Sequence, residues 1–197
     1  EANTDNIFGA VLLVQAVSGG GMSSAEAGEM LSKFSEPIKS HPYLVEMKGY
    51  LENMGRTDVG QQFIDIAMND TEGKTVSLSD VVAANEYTLL DFWASWCGPC
   101  MGEIPNLTAA YEKYSDKGFE IYGVSLDEDE SSWRAALKNK NMDWVNVSSL
   151  EGWLTPAVKE YRLQSIPASW LIARDGTIVA RNLRGEELET KLAGLLK

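Results

Sequence analysis

The sequence predicts an α/β fold of three layers, with helices on both faces of a mixed central sheet and a short helical segment in front of it. Three observations predict it. Tyr87–Trp93 and Phe119–Val124 are almost wholly apolar or β-favouring and read as buried central strands. Amphipathic helical stripes separate the strand-like runs. The chain then closes with a hairpin pattern, Ser169–Ala173 and Thr177–Ala180 around Arg174-Asp175-Gly176, before a last helix over Glu186–Leu196.

Taken in order, residues 1–57 read as helices. Ile7, Phe8, Val11, Leu12 and Gln15 fall on one helical face, and Gly19-Gly20-Gly21 ends that helix. Ser23 with Glu26 makes a capping box for a second helix running through Leu31 and Phe34. His41-Pro42 opens a third, with Leu44, Met47, Leu51 and Met54 on one face. This segment carries no chemical motif and reads as a packing element; whether it ends a larger upstream domain stays open. Residues 58–197 form the second domain. Phe63–Ile66 and Thr75–Leu78 flank the hairpin signal Asn69-Asp70-Thr71-Glu72-Gly73, and Ser79-Asp80 caps a short helix to Ala84. After the strand Tyr87–Trp93, a helix from Cys97 to about Tyr114 carries Cys100, Ile104, Leu107, Tyr111 and Tyr114 on one stripe, with Pro105 predicting a kink. Ser131–Lys138 and Thr155–Tyr161 read as helices and Trp144–Val147 as a short strand.

Composition excludes several function classes. Hydrophobic residues make up 44% of 197, enough for a sizeable core. Seventeen basic against twenty-nine acidic side chains give a net charge of −12, which repels nucleic-acid backbones and anionic lipid. The apolar run Ala10–Val17 is interrupted by Gln15, is too short to span a bilayer and lacks the flanks of a signal peptide.

The chemistry rests on the only two cysteines, Cys97 and Cys100 in Trp96-Cys97-Gly98-Pro99-Cys100. Cys97 follows a buried strand and begins a helix, where unpaired N–H groups and the positive end of the helix dipole stabilise a thiolate. The thiolate is the nucleophile of disulfide exchange, so Cys97 is the expected attacking residue. Cys100, one turn further on, is placed to resolve the mixed disulfide. Gly98 permits close approach at the turn, and Pro99 suits a first helical turn, where its missing N–H is not needed. A zinc site would need about four ligands, and a single histidine is all that remains. Ala94 stands where a peroxidatic cysteine would require a threonine. Asp91, an acid in an apolar strand, is expected to have a raised pKa that suits a base. The acidic run Asp127-Glu128-Asp129-Glu130 reads as a solvated loop and His41 as a surface residue.

Three runs together resemble the thioredoxin superfamily, and more narrowly the TlpA-like and ResA-like oxidoreductases of bacterial cell envelopes. These are Leu90-Asp91-Phe92-Trp93-Ala94-Ser95-Trp96-Cys97-Gly98-Pro99-Cys100 continued by Glu103-Ile104-Pro105-Asn106-Leu107, then Gly123-Val124-Ser125-Leu126-Asp127, then Ser165-Ile166-Pro167-Ala168-Ser169-Trp170-Leu171-Ile172. The resemblance covers about Val59–Lys197. It implies a cis Pro167 facing the active site, with Ile166 offering backbone groups to an extended substrate. It also implies a proton-accepting role for Asp91, a second acid near the cysteines in Glu103, and a contact surface at Trp96 beside the groove. Which acid is the main acceptor stays open, and so does a first-turn, solvated Glu103. The extra length from Asp127 to Trp153 matches the insertion of the TlpA-like group.

The expected function is thiol–disulfide exchange with protein thiols and disulfides, in the reducing direction, with electrons from an upstream thiol donor. No FAD or NAD(P)H motif is present, so the Cys97–Cys100 pair is the expected redox group and no metal or other cofactor is called for. The implied location is periplasmic or cell-envelope, with lipid anchoring through a removed leader left open. A disulfide-forming oxidase and a binding or scaffold module are the alternatives.

Overall fold

The computed structural model describes residues 4–18, 22, 24–42, 44–45, 48–49 and 55–197. The chain divides into two units, Glu1–Gln61 and Gln62–Lys197. In the first, helices α1 (Ile7–Ser18), α2 (Ser24–Ser32) and α3 (Glu36–Lys39) accompany a small apolar cluster of Ala10, Leu13, Ala27, Phe34 and Leu44. Among the described side chains of α1, Ala10 and Leu13 are buried, whereas Ile7, Phe8 and Leu12 of the expected face are exposed. Ala10 and Leu13 face the cluster that also holds Ala27, Phe34 and Leu44. Gly19–Gly21, Ser23, Met47, Leu51 and Met54 lie outside the described residues, and with them the first helix stop, the capping box and most of the third helix.

The second unit is built on a seven-stranded mixed sheet in the order β2-β1-β5-β4-β3-β6-β7. The strands are β1 (Ala67–Asp70), β2 (Thr75–Ser77), β3 (Tyr87–Trp93), β4 (Phe119–Ser125), β5 (Val145–Ser148), β6 (Ala168–Ala173) and β7 (Ile178–Arg181). β3 runs parallel to β4 and antiparallel to β6. Thr88 through Trp93 are all buried. Successive side chains of a strand point to opposite faces, so this unbroken burial means that both faces of the sheet are covered. The covering helices are α4 (Leu78–Ala84), α5 (Gly98–Tyr114), α6 (Glu130–Lys140), α7 (Pro156–Glu160) and α8 (Glu186–Leu195). α5 continues through Pro105. No helix among the described residues is long and apolar enough to cross a membrane.

Local chemistry explains where sequence and structure part. Phe63–Ile66 is not a strand. Phe63 N–H bonds to Gly176 O (2.9 Å), and both backbone groups of Ile64 bond to the Tyr161 hydroxyl (3.1 and 2.6 Å). Those single tethers occupy groups that a ladder would need. The hairpin forms later, with Asn69 opposite Thr75, and Asp70 accepts from Glu72 N and Lys74 N around Gly73 at φ 79°. The cap of α4 is Ser77, whose hydroxyl accepts from Asp80 N; Ser79 lies inside the first turn and bonds to Asp65 instead.

Gly123 shows how tightly the sheet is packed near its active end. It lies opposite Asp91 in the β3–β4 ladder. A Cβ there would meet Asn146 Oδ1 at 2.7 Å and the indole nitrogens of Trp93 and Trp144 at 3.2 and 3.3 Å. Gly123→Ala is expected to destabilise the fold by ~1–3 kcal/mol, read as a lower denaturant midpoint with an unchanged slope.

Candidate active site

β3 delivers the chain to the site. Beyond Trp93 its ladder ends, and Trp93 O accepts from Leu126 N (2.8 Å). Ser95 is then gripped by Asp127. The Asp127 carboxylate accepts from Ser95 N (3.0 Å), Ser95 Oγ (2.5 Å) and Ser125 Oγ (2.6 Å). Asp127 is 1% exposed, so it is not part of the solvated loop that its acidic neighbours suggested. Of that run, Asp129 caps α6 through Ser132 N and Glu130 pairs with Arg134. Asp127 instead fixes the turn that carries Trp96 and Cys97. Asp127→Ala orphans three donors, the buried Ser125 Oγ and two on half-buried Ser95, and is expected to lower stability by about 2–4 kcal/mol and slow thiol exchange, measured by denaturation and by single-turnover kinetics.

Cys97 is the N-cap of α5, with extended backbone (φ −85°, ψ 99°). Its Sγ accepts from Cys100 N at 3.2 Å, so the sulfur already occupies the position at which helix N–H groups converge. Cys97 and Cys100 form a disulfide with Cα atoms 5.2 Å apart. Both sulfur-bearing residues are buried, whereas Trp96 is 57% exposed and Gly98 and Pro99 are exposed. The disulfide thus sits under a rim that a partner can touch. The Ile166–Pro167 bond is cis, and both residues are half-buried. Ala168 is opposite Phe92 in the β3–β6 ladder, so Pro167 lies beyond the ladder beside the end of β3 that runs on to Cys97.

Asp91 is buried on β3, and its Oδ1 makes no hydrogen bond. Burial pushes its carboxyl up to about 7, against a nearby Arg184 charge that lowers it and a Glu103 charge that adds to the rise. Glu103, on α5, is half-buried rather than free in solvent. Its Oε1 accepts from Gly185 N (2.7 Å) and its Oε2 from Asn106 Nδ2 (3.3 Å). It therefore ties α5 to the N-cap of α8. Asp127, Ser169 and Arg184 escaped the sequence reading. Asp127 carried a signal, as the acid that closes the run Gly123-Val124-Ser125-Leu126-Asp127 just past an apolar strand. Arg184 has no local signal, because only the pairing of β6 with β3 brings it to Asp91.

Comparison with known proteins agrees with this geometry. Residues 59–181 match the model of the AhpC/TSA family. The thiol-disulfide oxidoreductase ResA of Bacillus thuringiensis (strain Al Hakam) is 31% identical over 155 residues, 76% of this chain and 83% of the relative. The thioredoxin domain of a thiol-disulfide oxidoreductase from Bacteroides vulgatus superimposes with a TM-score of 0.66 at 32% identity, over 71% of this chain and 99% of that one. A protein described as a putative thiol:disulfide interchange protein DsbE, from Chlorobium tepidum, gives 0.63 at 29% identity, over 71% of this chain and 99% of its own. The fold, the strand-to-helix placement of the cysteine pair and these relatives identify the chain as a thiol–disulfide oxidoreductase of thioredoxin fold, a member of the AhpC/TSA family.

Proposed function

We propose that this protein works in the reducing direction, transferring two electrons from Cys97 and Cys100 to disulfides of protein partners. The exchange chemistry rests on a capping sulfur, Cys97, and a buried carboxyl, Asp91, on the strand that leads to it; the direction rests on the Gly98-Pro99 pair between the cysteines, which resembles reducing thioredoxins more than strong oxidants. The Cys97 thiolate attacks a substrate disulfide, a mixed disulfide forms and one substrate thiolate leaves. Asp91 takes the Cys100 proton, and the Cys100 thiolate attacks Cys97 Sγ. The internal disulfide forms and the second substrate thiolate leaves. The dithiol is itself the redox group, and an upstream thiol protein restores it. Ile166 and cis Pro167 receive the extended partner segment by strand-like pairing, and Trp96, Gly98 and Pro99 form the contact rim. Glu103 supports the site as a brace between α5 and α8, with Asp91 as the main proton acceptor. A periplasmic or cell-envelope location accompanies this function, in keeping with the resemblance set out above and with the compartments where disulfide exchange is common.

The test is the reduction potential of the Cys97–Cys100 pair, equilibrated against glutathione or dithiothreitol. The reductive reading expects a value near ~−270 mV, the range of thioredoxin. A value near ~−120 mV, that of a strong oxidant, sinks it in favour of disulfide formation.

A further inference from the structure

The loop between β7 and α8 is fastened from both sides. Asn182, at φ 52°, donates its N–H to Ser169 O (2.7 Å) and accepts from Ser169 N (3.1 Å) through Oδ1. Gly185 N donates to Glu103 (2.7 Å). Between these anchors stands Arg184. Its Nη1 donates to Ser169 Oγ (2.9 Å) and to Leu183 O (3.0 Å), and its Nη2 is buried without a hydrogen-bond partner among the described residues. Ser169 is fully buried and lies directly opposite Asp91 in the antiparallel β3–β6 ladder. Directly opposed residues emerge on the same face with Cβ atoms ~5 Å apart. The guanidinium is thus seated one side chain away from a buried carboxyl whose Oδ1 also lacks a partner.

We propose that Arg184 is a positioning residue whose charge, held on Ser169 opposite Asp91, favours the ionised form of that carboxyl. The inference deepens the reductive reading and rests on Asp91 as the acceptor of the Cys100 proton. Burial and the nearby Glu103 charge oppose ionisation of the Asp91 carboxyl, and a Cys100 thiolate forming during turnover adds a further negative charge. Arg184 is the charge named above that favours ionisation. Ser169 serves as its seat, and Glu103 and Asn182 hold the loop that presents it.

The experiment is a carbon-13 NMR titration of the Asp91 carboxyl in the oxidised full chain, in wild type, Arg184→Gln and Arg184→Lys. Arg184→Gln is expected to move the Asp91 midpoint up by about one pH unit, the low end of the effect of an adjacent opposite charge, and Arg184→Lys to restore most of it. Arg184→Met, which fills the same space without demanding hydrogen bonds, supplies the uncharged variant should the glutamine protein not fold. An Asp91 midpoint unchanged in the uncharged variants overturns the assignment. Because the titration is read without any thiol reaction, it fails separately from the Asp91 reading, which falls if Asp91→Asn resolves mixed disulfides at the wild-type rate.

Discussion

Cys97→Ser is expected to abolish disulfide turnover, by on the order of 10³-fold or more, while leaving the fold intact. The reason is local. Cys97 is the residue whose sulfur meets the first N–H groups of α5, and a serine hydroxyl in that place does not ionise at neutral pH. Cys100→Ser should behave differently. It retains the attacking sulfur but lacks the resolving one, so it is expected to accumulate mixed disulfides with protein partners that run as adducts on non-reducing gels and vanish with dithiothreitol. The double variant should form none. If Cys97→Ser still trapped partners, or Cys100→Ser trapped none, the order of attack would be reversed. Partner binding unchanged in Cys97→Ser and unconnected with turnover would favour a scaffold module.

Asp91→Asn carries the second large effect, and it has opposite signs in activity and stability. Without the carboxylate, the Cys100 proton has no buried acceptor, and resolution of the mixed disulfide is expected to slow by about 10²-fold near neutral pH. The wild-type rate should rise through an ionisation near 7, the value to which burial raises Asp91, and the variant should lose that limb. Stability moves the other way. The folded carboxyl holds its proton up to about 7, whereas an ordinary exposed aspartate loses it at 3.8. Between those values the unfolded chain binds fewer protons than the folded one, so stability is highest below the lower value, falls as pH rises and levels off above about 7. The span corresponds to roughly 4 kcal/mol at most, using ~1.4 kcal/mol per pH unit. Asparagine carries no charge to bury. Asp91→Asn is therefore expected to be more stable than wild type above pH 7 and nearly equal to it below pH 4. Denaturant unfolding of the oxidised proteins across that range checks the sign. A variant less stable than wild type at pH 8 would contradict it.

Much of the fold and the centre of the site were legible because local pattern and tertiary demand agree there. The apolar runs of β3 and β4, the strand-to-helix junction at Cys97 and the Gly-Pro pair are all short-range signals. What was not legible depended on contacts across the fold. Phe63–Ile66 has strand composition, yet its backbone is claimed by Tyr161 and Gly176. Ser79 looked like a cap, yet Asp65 occupies it and Ser77 does the capping. Asp127 resembled its acidic neighbours, yet three donors from β4 and the Cys97 turn enclose it. Glu103 read equally well as a solvated first-turn carboxylate or a site acid. Its half-buried place on Gly185 N depends on α5 lying beside the start of α8, a contact no spacing along the chain reveals.

The most direct test is the rate at which each thiol of the reduced protein is alkylated by iodoacetamide as pH is varied, resolved by mass spectrometry. Activation at the α5 N-terminus predicts that Cys97 reacts first, with a midpoint well below that of a free cysteine, ~8.5, while buried Cys100 stays largely unmodified until higher pH. A Cys97 that titrates like a free cysteine, or a Cys100 that reacts first, would contradict the account.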